Sequence, residues 1–120
     1  MLAELTIIPV GGDSHTSENL AEVLKLIDAS GLSYQLTPTA TCIEGRWEEL
    51  MEIIRQCHER VRRGSPHVIT MIKIEDEEGS NDKLRRNVAS VEEKAGRRLQ
   101  RTIPVTSEEK VTEILDQGRS

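Results

Sequence analysis

The sequence predicts an α+β domain whose elements run β-α-β-β-α-β, followed by helical additions. Three observations predict it. Two alternating, β-branched segments, Leu2–Val10 and His67–Asp76, bracket the pattern. Between them lie two stretches with apolar residues at helical spacing. Between those stretches, YQLTPTATCIEG (Tyr34–Gly45) reads as two short strands joined at Pro38-Thr39.

The elements follow in order. In LAELTIIPV, Ala3, Leu5 and Ile7 share one strand face, and Glu4, Thr6 and Ile8 the other. GGDSHTS, Gly11–Ser17, is a turn rich in helix-capping residues. Leu20, Val23, Leu24 and Ile27 then fall at i, i+3, i+4, i+7, and Gly31 supplies a left-handed C-cap. Leu32–Pro38 and Ala40–Glu44 form a hairpin. Gly45 opens the clearest helix, with a stripe of Trp47, Leu50, Met51, Ile54, His58 and Val61 that Gly64-Ser65-Pro66 ends. After the strand at His67–Asp76 and the polar turn EEGSND, Leu84, Val88, Val91 and Ala95 mark a third helix. Thr106-Ser-Glu-Glu109 is a capping-box pattern ahead of Val111, Ile114 and Leu115, compatible with a short terminal helix. This order is the split βαβ, or ferredoxin-like, arrangement: a four-stranded antiparallel sheet with helices on one face. The expected organisation is one such domain over residues 1–99 and a C-terminal extension over 100–120.

Composition narrows the function classes. The 120 residues suit one modest core, and with Tyr34 and Trp47 as the aromatics and no Phe, that core is built from Leu, Ile, Val and Met. The net charge is −5 and the basic residues are scattered. A nucleic-acid partner, which calls for a dense basic surface and stacking aromatics, is therefore not expected. Arg60, Arg62, Arg63, Arg97 and Arg98 sit near helix C-termini, where they complement the helix dipole. No signal-peptide pattern and no apolar run of spanning length is present, so no membrane partner is expected and the setting is read as cytoplasmic and reducing. Cys57 and His58 are neighbours, which on a helix point about 100° apart, so a metal site is not expected.

In VITMIKI the face of Val68, Thr70, Ile72 and Ile74 is largely apolar and so is that of Ile69 and Met71 opposite, and both faces of the first strand also carry apolar residues. Helices cover one face of such a sheet, which leaves the second as an apolar patch. A homodimer or homotetramer packed through sheet faces is the expected remedy.

The concentration of Tyr34, Thr37, Thr39, Thr41, Glu44 and the nearby Thr6 calls for either a packed sheet surface or recognition of a small polar ligand. Here a resemblance adds to the residues. Ser30-Gly31-Leu32, Tyr34, Pro38, Thr41, Ile43-Glu44-Gly45, His58-Glu59, Val68, Thr70, Ile72-Lys73-Ile74 and Ser90-Val91 resemble, in order, the recurring motifs of the small thiamine-binding protein family of ferredoxin-like domains. The resemblance runs over roughly Leu2 to Leu99. It implies a cytoplasmic oligomer that binds thiamine or its hydroxymethylpyrimidine part without catalysis and without a cofactor. The chain departs from the family pattern at Thr39-Ala40, at His67, and over Glu75–Lys83, an acidic segment where the family is usually basic.

A thiamine-like ligand presents a flat aminopyrimidine and a permanent cation. On the resemblance, Thr6, Gln35, Thr37, Thr39, Thr41 and Glu44 are its expected binding residues, with Glu4 close by. The competing reading makes the threonines ordinary strand residues and Glu44 the cap of the following helix. Tyr34 and Trp47 are read as packing residues, and Cys42 as a small buried one. His58 is read as a packing histidine, because it lies on the apolar stripe while Glu59 points elsewhere. No nucleophile, base and orienting group assemble from the pattern, so an enzyme is not expected. A ligand-free oligomeric interaction module and, behind it, a small cofactor-less enzyme using His58 are the alternatives.

Overall fold

The computed structural model describes residues 1–11 and 16–101. Its elements are β1 (Leu2–Pro9), α1 (Thr16–Ala29), β2 (Ser33–Leu36), β3 (Thr41–Glu44), α2 (Trp47–Gly64), β4 (Val68–Glu75) and α3 (Lys83–Ala95). The sheet order is β2-β3-β1-β4, with every neighbouring pair antiparallel. β3 therefore sits between β1 and β2, and β1 between β3 and β4, which makes two interleaved split βαβ units. This is the ferredoxin-like α+β fold that the element order predicts. The expected capping box and helix beyond Thr106 lie outside the described residues, as does most of the Gly11–Ser17 turn.

Pairing register decides which residues share a face. Ala3 opposes Ile43 and Ile74, and Leu5 opposes Thr41 and Ile72, so these point toward the helices. Glu4 opposes Cys42 and Lys73, Thr6 opposes Met71, and Ile8 opposes Ile69 on the other, open face. The core consists of Ala3, Leu5 and Ile43 from the sheet, Val23 and Ile27 from α1, and Leu50, Ile53, Ile54, Cys57 and Val61 from α2. Each fully buried aliphatic side chain contributes about 1.5–3 kcal/mol through removal from water.

The ends of the elements follow from local chemistry. Gly31, at φ +79°, takes the left-handed conformation that ends α1. At the start of α2 the backbone N–H of Arg46 donates to Glu49 Oε1 at 3.0 Å, and Glu48 and Glu49 lie at the positive end of the helix dipole. That N–H and the Arg46 side chain hold the Glu49 carboxyl below its ordinary range. Arg62 and Arg63 occupy the last turn, as their sequence position implies. Thr37 N donates to Ala40 O at 2.9 Å, closing the β2–β3 connection.

Two packing expectations change. Trp47 is 51% exposed: it is the first residue of α2, and the core-facing stripe begins one turn later at Leu50. Cys42 is half-buried on the open face rather than in the core, because its partners across the sheet are Glu4 and Gln35. The open face carries exposed Ile8, Ile69 and Met71, the last 56% exposed.

The chain divides into two compact units, Met1–Asn87 and Val88–Ser120. The first holds the sheet, α1, α2 and the start of α3. In the second, the buried Glu92 carboxylate accepts the backbone N–H of Leu99 at 2.6 Å and pairs with the Arg101 guanidinium.

Candidate functional site

The tip of the β2–β3 hairpin builds a cavity. Thr37 Oγ1 donates to Ala40 O at 2.8 Å and accepts from Ala40 N at 3.1 Å, so one hydroxyl clamps the turn in both directions. Thr6 Oγ1 donates to Thr39 O at 3.4 Å and ties the turn to β1. Behind it opens a cavity of ≈ 220 Å³ bounded by the C-terminal half of β1, the 36–41 segment, Asn19, Leu20 and Val23 of α1, and Val61 of α2. Thr6, Thr37, Thr39 and Thr41 all line it.

The other two expected ligand residues lie elsewhere. Gln35 opposes Cys42 on the open face. Glu44 is three residues beyond Thr41, roughly 10 Å along the strand at ~3.3 Å per residue, and an odd offset puts it on the opposite face. Its Oε2 accepts the backbone N–H of Lys83 at 2.5 Å. Glu44 thus caps α3, a helix 39 residues downstream, rather than α2, which immediately follows it. The Lys83 ammonium, almost fully buried, meets Glu77 at 2.7 Å and Glu75 at 2.9 Å. These partners, Glu77 first, raise the Lys83 pKa above its ordinary value, and Lys83 in turn lowers that of Glu75.

Polar groups differ in how far the protein already uses them. Thr41 is 3% exposed as a residue, and its hydroxyl makes no hydrogen bond among the described residues; because no buried side-chain polar atom there lacks a partner, that oxygen retains some accessible surface. Asn19 on α1 also lines the cavity, and its carboxamide is likewise unpartnered among the described residues. Sequence reasoning missed Asn19. It is polar and lies between Glu18 and the apolar stripe at Leu20, so nothing in the periodicity singles it out; only the approach of α1 to the hairpin does.

A broader and shallower depression at the opposite end of β3 is bounded by Glu44, Arg46, Trp47, Glu49 and Asp82. Three of its four carboxylates are already engaged: Glu44 by Lys83 N, Glu49 by Arg46, and Asp82 by Arg85 at 2.6 Å; Asp76 is the fourth.

Candidate reactive groups are occupied or suppressed. His58 Nδ1 lies 2.6 Å from Thr70 Oγ1, a hydrogen bond that fixes α2 against β4, in keeping with a packing histidine. Burial pushes the Cys57 thiol up to about 11, and desolvation, with Glu4 adding to it, raises Cys42 as well. Neither cysteine is poised as a thiolate nucleophile at neutral pH. Tyr34 Oη donates to Asp28 at 2.9 Å, and that bond raises its pKa. Among the described residues no group of three His, Cys, Asp or Glu side chains could hold a metal ion, and no helix is long and apolar enough to cross a membrane.

The family model for "Thiamine-binding protein" matches residues 3–92. The chain belongs to this family. It is 35% identical over 96 residues to the UPF0045 protein YqgV of Bacillus subtilis, covering 75% of this chain and 92% of that one. It is 36% identical over 95 residues to a UPF0045 protein of Methanothermobacter thermautotrophicus, covering 77% and 96%. Among solved structures, a hypothetical protein of Methanocaldococcus jannaschii superposes with a TM-score of 0.71 at 21% identity over 77% of this chain and 95% of that one. A Thermotoga maritima protein named for thiamine biosynthesis or salvage gives 0.67 at 18% identity over 75% and 96%. These superpositions bear out the ferredoxin-like fold.

Proposed function

We propose that this family member binds thiamine or its hydroxymethylpyrimidine moiety without chemical conversion, as a cytoplasmic carrier, buffer or sensor, in the cavity behind the β2–β3 hairpin. The observation that carries the reading is the convergence of Thr6, Thr37, Thr39 and Thr41 on one cavity. Thr6 stands on the open face and Thr41 on the helix face, and the turn held by Thr37 and tied to Thr6 brings all four to the edge of one space. The occupied His58 and the raised thiol pKa values of Cys42 and Cys57 favour binding over catalysis.

Copies associate through the open sheet face, as a homodimer or a homotetramer. Thr6 and Ile8 belong to both that face and the cavity, so a partner on the face would sit beside the ligand. The purified protein is titrated calorimetrically with thiamine, its phosphates and hydroxymethylpyrimidine. Micromolar binding, about −8 kcal/mol at 1 µM, supports the reading. Absence of heat and of any thermal shift with every compound overturns it and leaves an assembly module.

A further inference from the structure

We infer that Asn19 and Thr41 together read the edge of an uncharged heteroaromatic ring, and that any charged part of the ligand stays outside the cavity. The inference rests on the binding reading above and specifies what that site recognises. The threonines at the hairpin have separable roles. The hydroxyl of Thr37 is consumed by the turn in both directions, and that of Thr6 by Thr39 O. Thr41 is different. Its pairing with Leu5 and Leu36 turns it toward the helices, and it is 97% removed from solvent with an uncommitted hydroxyl. No buried side-chain nitrogen or oxygen among the described residues lacks a partner, so the unbonded Thr41 oxygen is not sealed in the core but keeps accessible surface where the residue lines the cavity. At the edge of a cavity, a ligand atom can satisfy it.

Asn19 supplies what a hydroxyl alone lacks. A carboxamide offers a donor and an acceptor side by side, and a threonine hydroxyl adds either. That set matches a ring nitrogen next to an exocyclic amino group. The remaining walls, from Leu5, Val23, Leu36 and Val61, suit the faces of a flat ring.

Charge and size point the same way. None of the described residues lining the cavity is ionisable, and Glu44 is engaged at the far end of β3. An ion drawn between these walls would lose its hydration without a counter-charge. The ≈ 220 Å³ available falls below the roughly 300–1,000 Å³ typical of sites that enclose a drug-sized ligand. The space fits a ring-sized part of the ligand rather than the whole of an extended cationic or phosphorylated one.

The test is calorimetric titration of hydroxymethylpyrimidine, thiamine and thiamine diphosphate into the full chain and into Thr41→Val, Thr41→Ser and Asn19→Ala, with the thermal midpoint of each ligand-free variant as a folding control. The expected result is comparable affinity for all three compounds, within about threefold, and little change between about 50 and about 500 mM salt. Thr41→Val and Asn19→Ala each weaken all three by roughly tenfold, the loss of one ligand hydrogen bond, and Thr41→Ser retains binding. Thiamine binding without hydroxymethylpyrimidine binding, or strong salt dependence, overturns the inference while leaving thiamine binding intact. Equal loss in Thr41→Val and Thr41→Ser also overturns it, because packing rather than the hydroxyl would then be responsible. If none of the three compounds binds, the binding reading itself fails.

Discussion

Replacing Glu44 distinguishes a helix cap from a ligand contact. In the structure, Glu44 Oε2 satisfies the first backbone N–H of α3 at 2.5 Å. Glu44→Ala leaves that donor without its cap, a loss worth about 1 kcal/mol at a helix N-terminus. It also removes a negative charge from the positive end of the helix dipole, which adds about 0.5 kcal/mol. The sum, about 1.5 kcal/mol, corresponds to a fall of roughly 5 °C in thermal midpoint for a domain of this size. Glu44→Gln keeps an acceptor oxygen and loses only the charge, so its cost is about 0.5 kcal/mol. Urea unfolding followed by far-UV circular dichroism gives both values, and calorimetric titration with thiamine gives the second readout. We expect graded destabilisation, Ala beyond Gln, with thiamine affinity changed less than about twofold. If both variants unfold like the parent while thiamine affinity drops about tenfold, Glu44 contacts ligand and the assignment of its carboxylate to α3 is wrong.

Three further outcomes follow from the same geometry. Leu50, fully buried at the centre of α2, should lose about 3–4 kcal/mol on Leu50→Ala in chemical denaturation; a loss below about 1.5 kcal/mol would mean that the helix–sheet layer is loosely packed. The Glu52 carboxyl, held down to about 2 chiefly by Arg55 and then by Gln56, should titrate well below the ordinary 4.5 in carbon-detected NMR and return toward it in Arg55→Ala. Because its folded pKa is depressed, the stabilisation is present above the ordinary carboxylate range and is lost as pH falls toward about 2; the pair is exposed, so its contribution to overall stability is small. Met71→Lys, on the open face, should shift the sedimentation coefficient toward that of the monomer, and an unchanged coefficient would exclude that face as the contact between copies.

The layout of the fold was legible in the sequence because it is built from local regularities. Alternation in Leu2–Pro9 and Val68–Glu75, and helical spacing around Val23–Ile27 and Leu50–Val61, each follow from one element dividing its side chains between water and core. The weakest reading was at element ends. Trp47 continued the stripe by arithmetic but falls at the first turn of α2, where the helix has not yet reached the sheet. The threonines of the hairpin were identified by composition, but their separate uses were not. Thr37 serves the turn and Thr41 faces the helices because a strand alternates and a turn does not.

By itself, then, the sequence determined the strand and helix order, the apolar character of both sheet faces and the family to which the chain belongs. All of these are written in residue spacing over short windows. The tertiary structure decided which polar groups stand together. Glu44 lies close to Thr41 in sequence, yet it serves the N-terminus of α3, whereas Asn19, more than twenty positions upstream of Thr41, shares a cavity with it. Strand register and the approach of α1 to the hairpin set those distances, and both depend on packing between segments remote in the chain, which no local periodicity encodes.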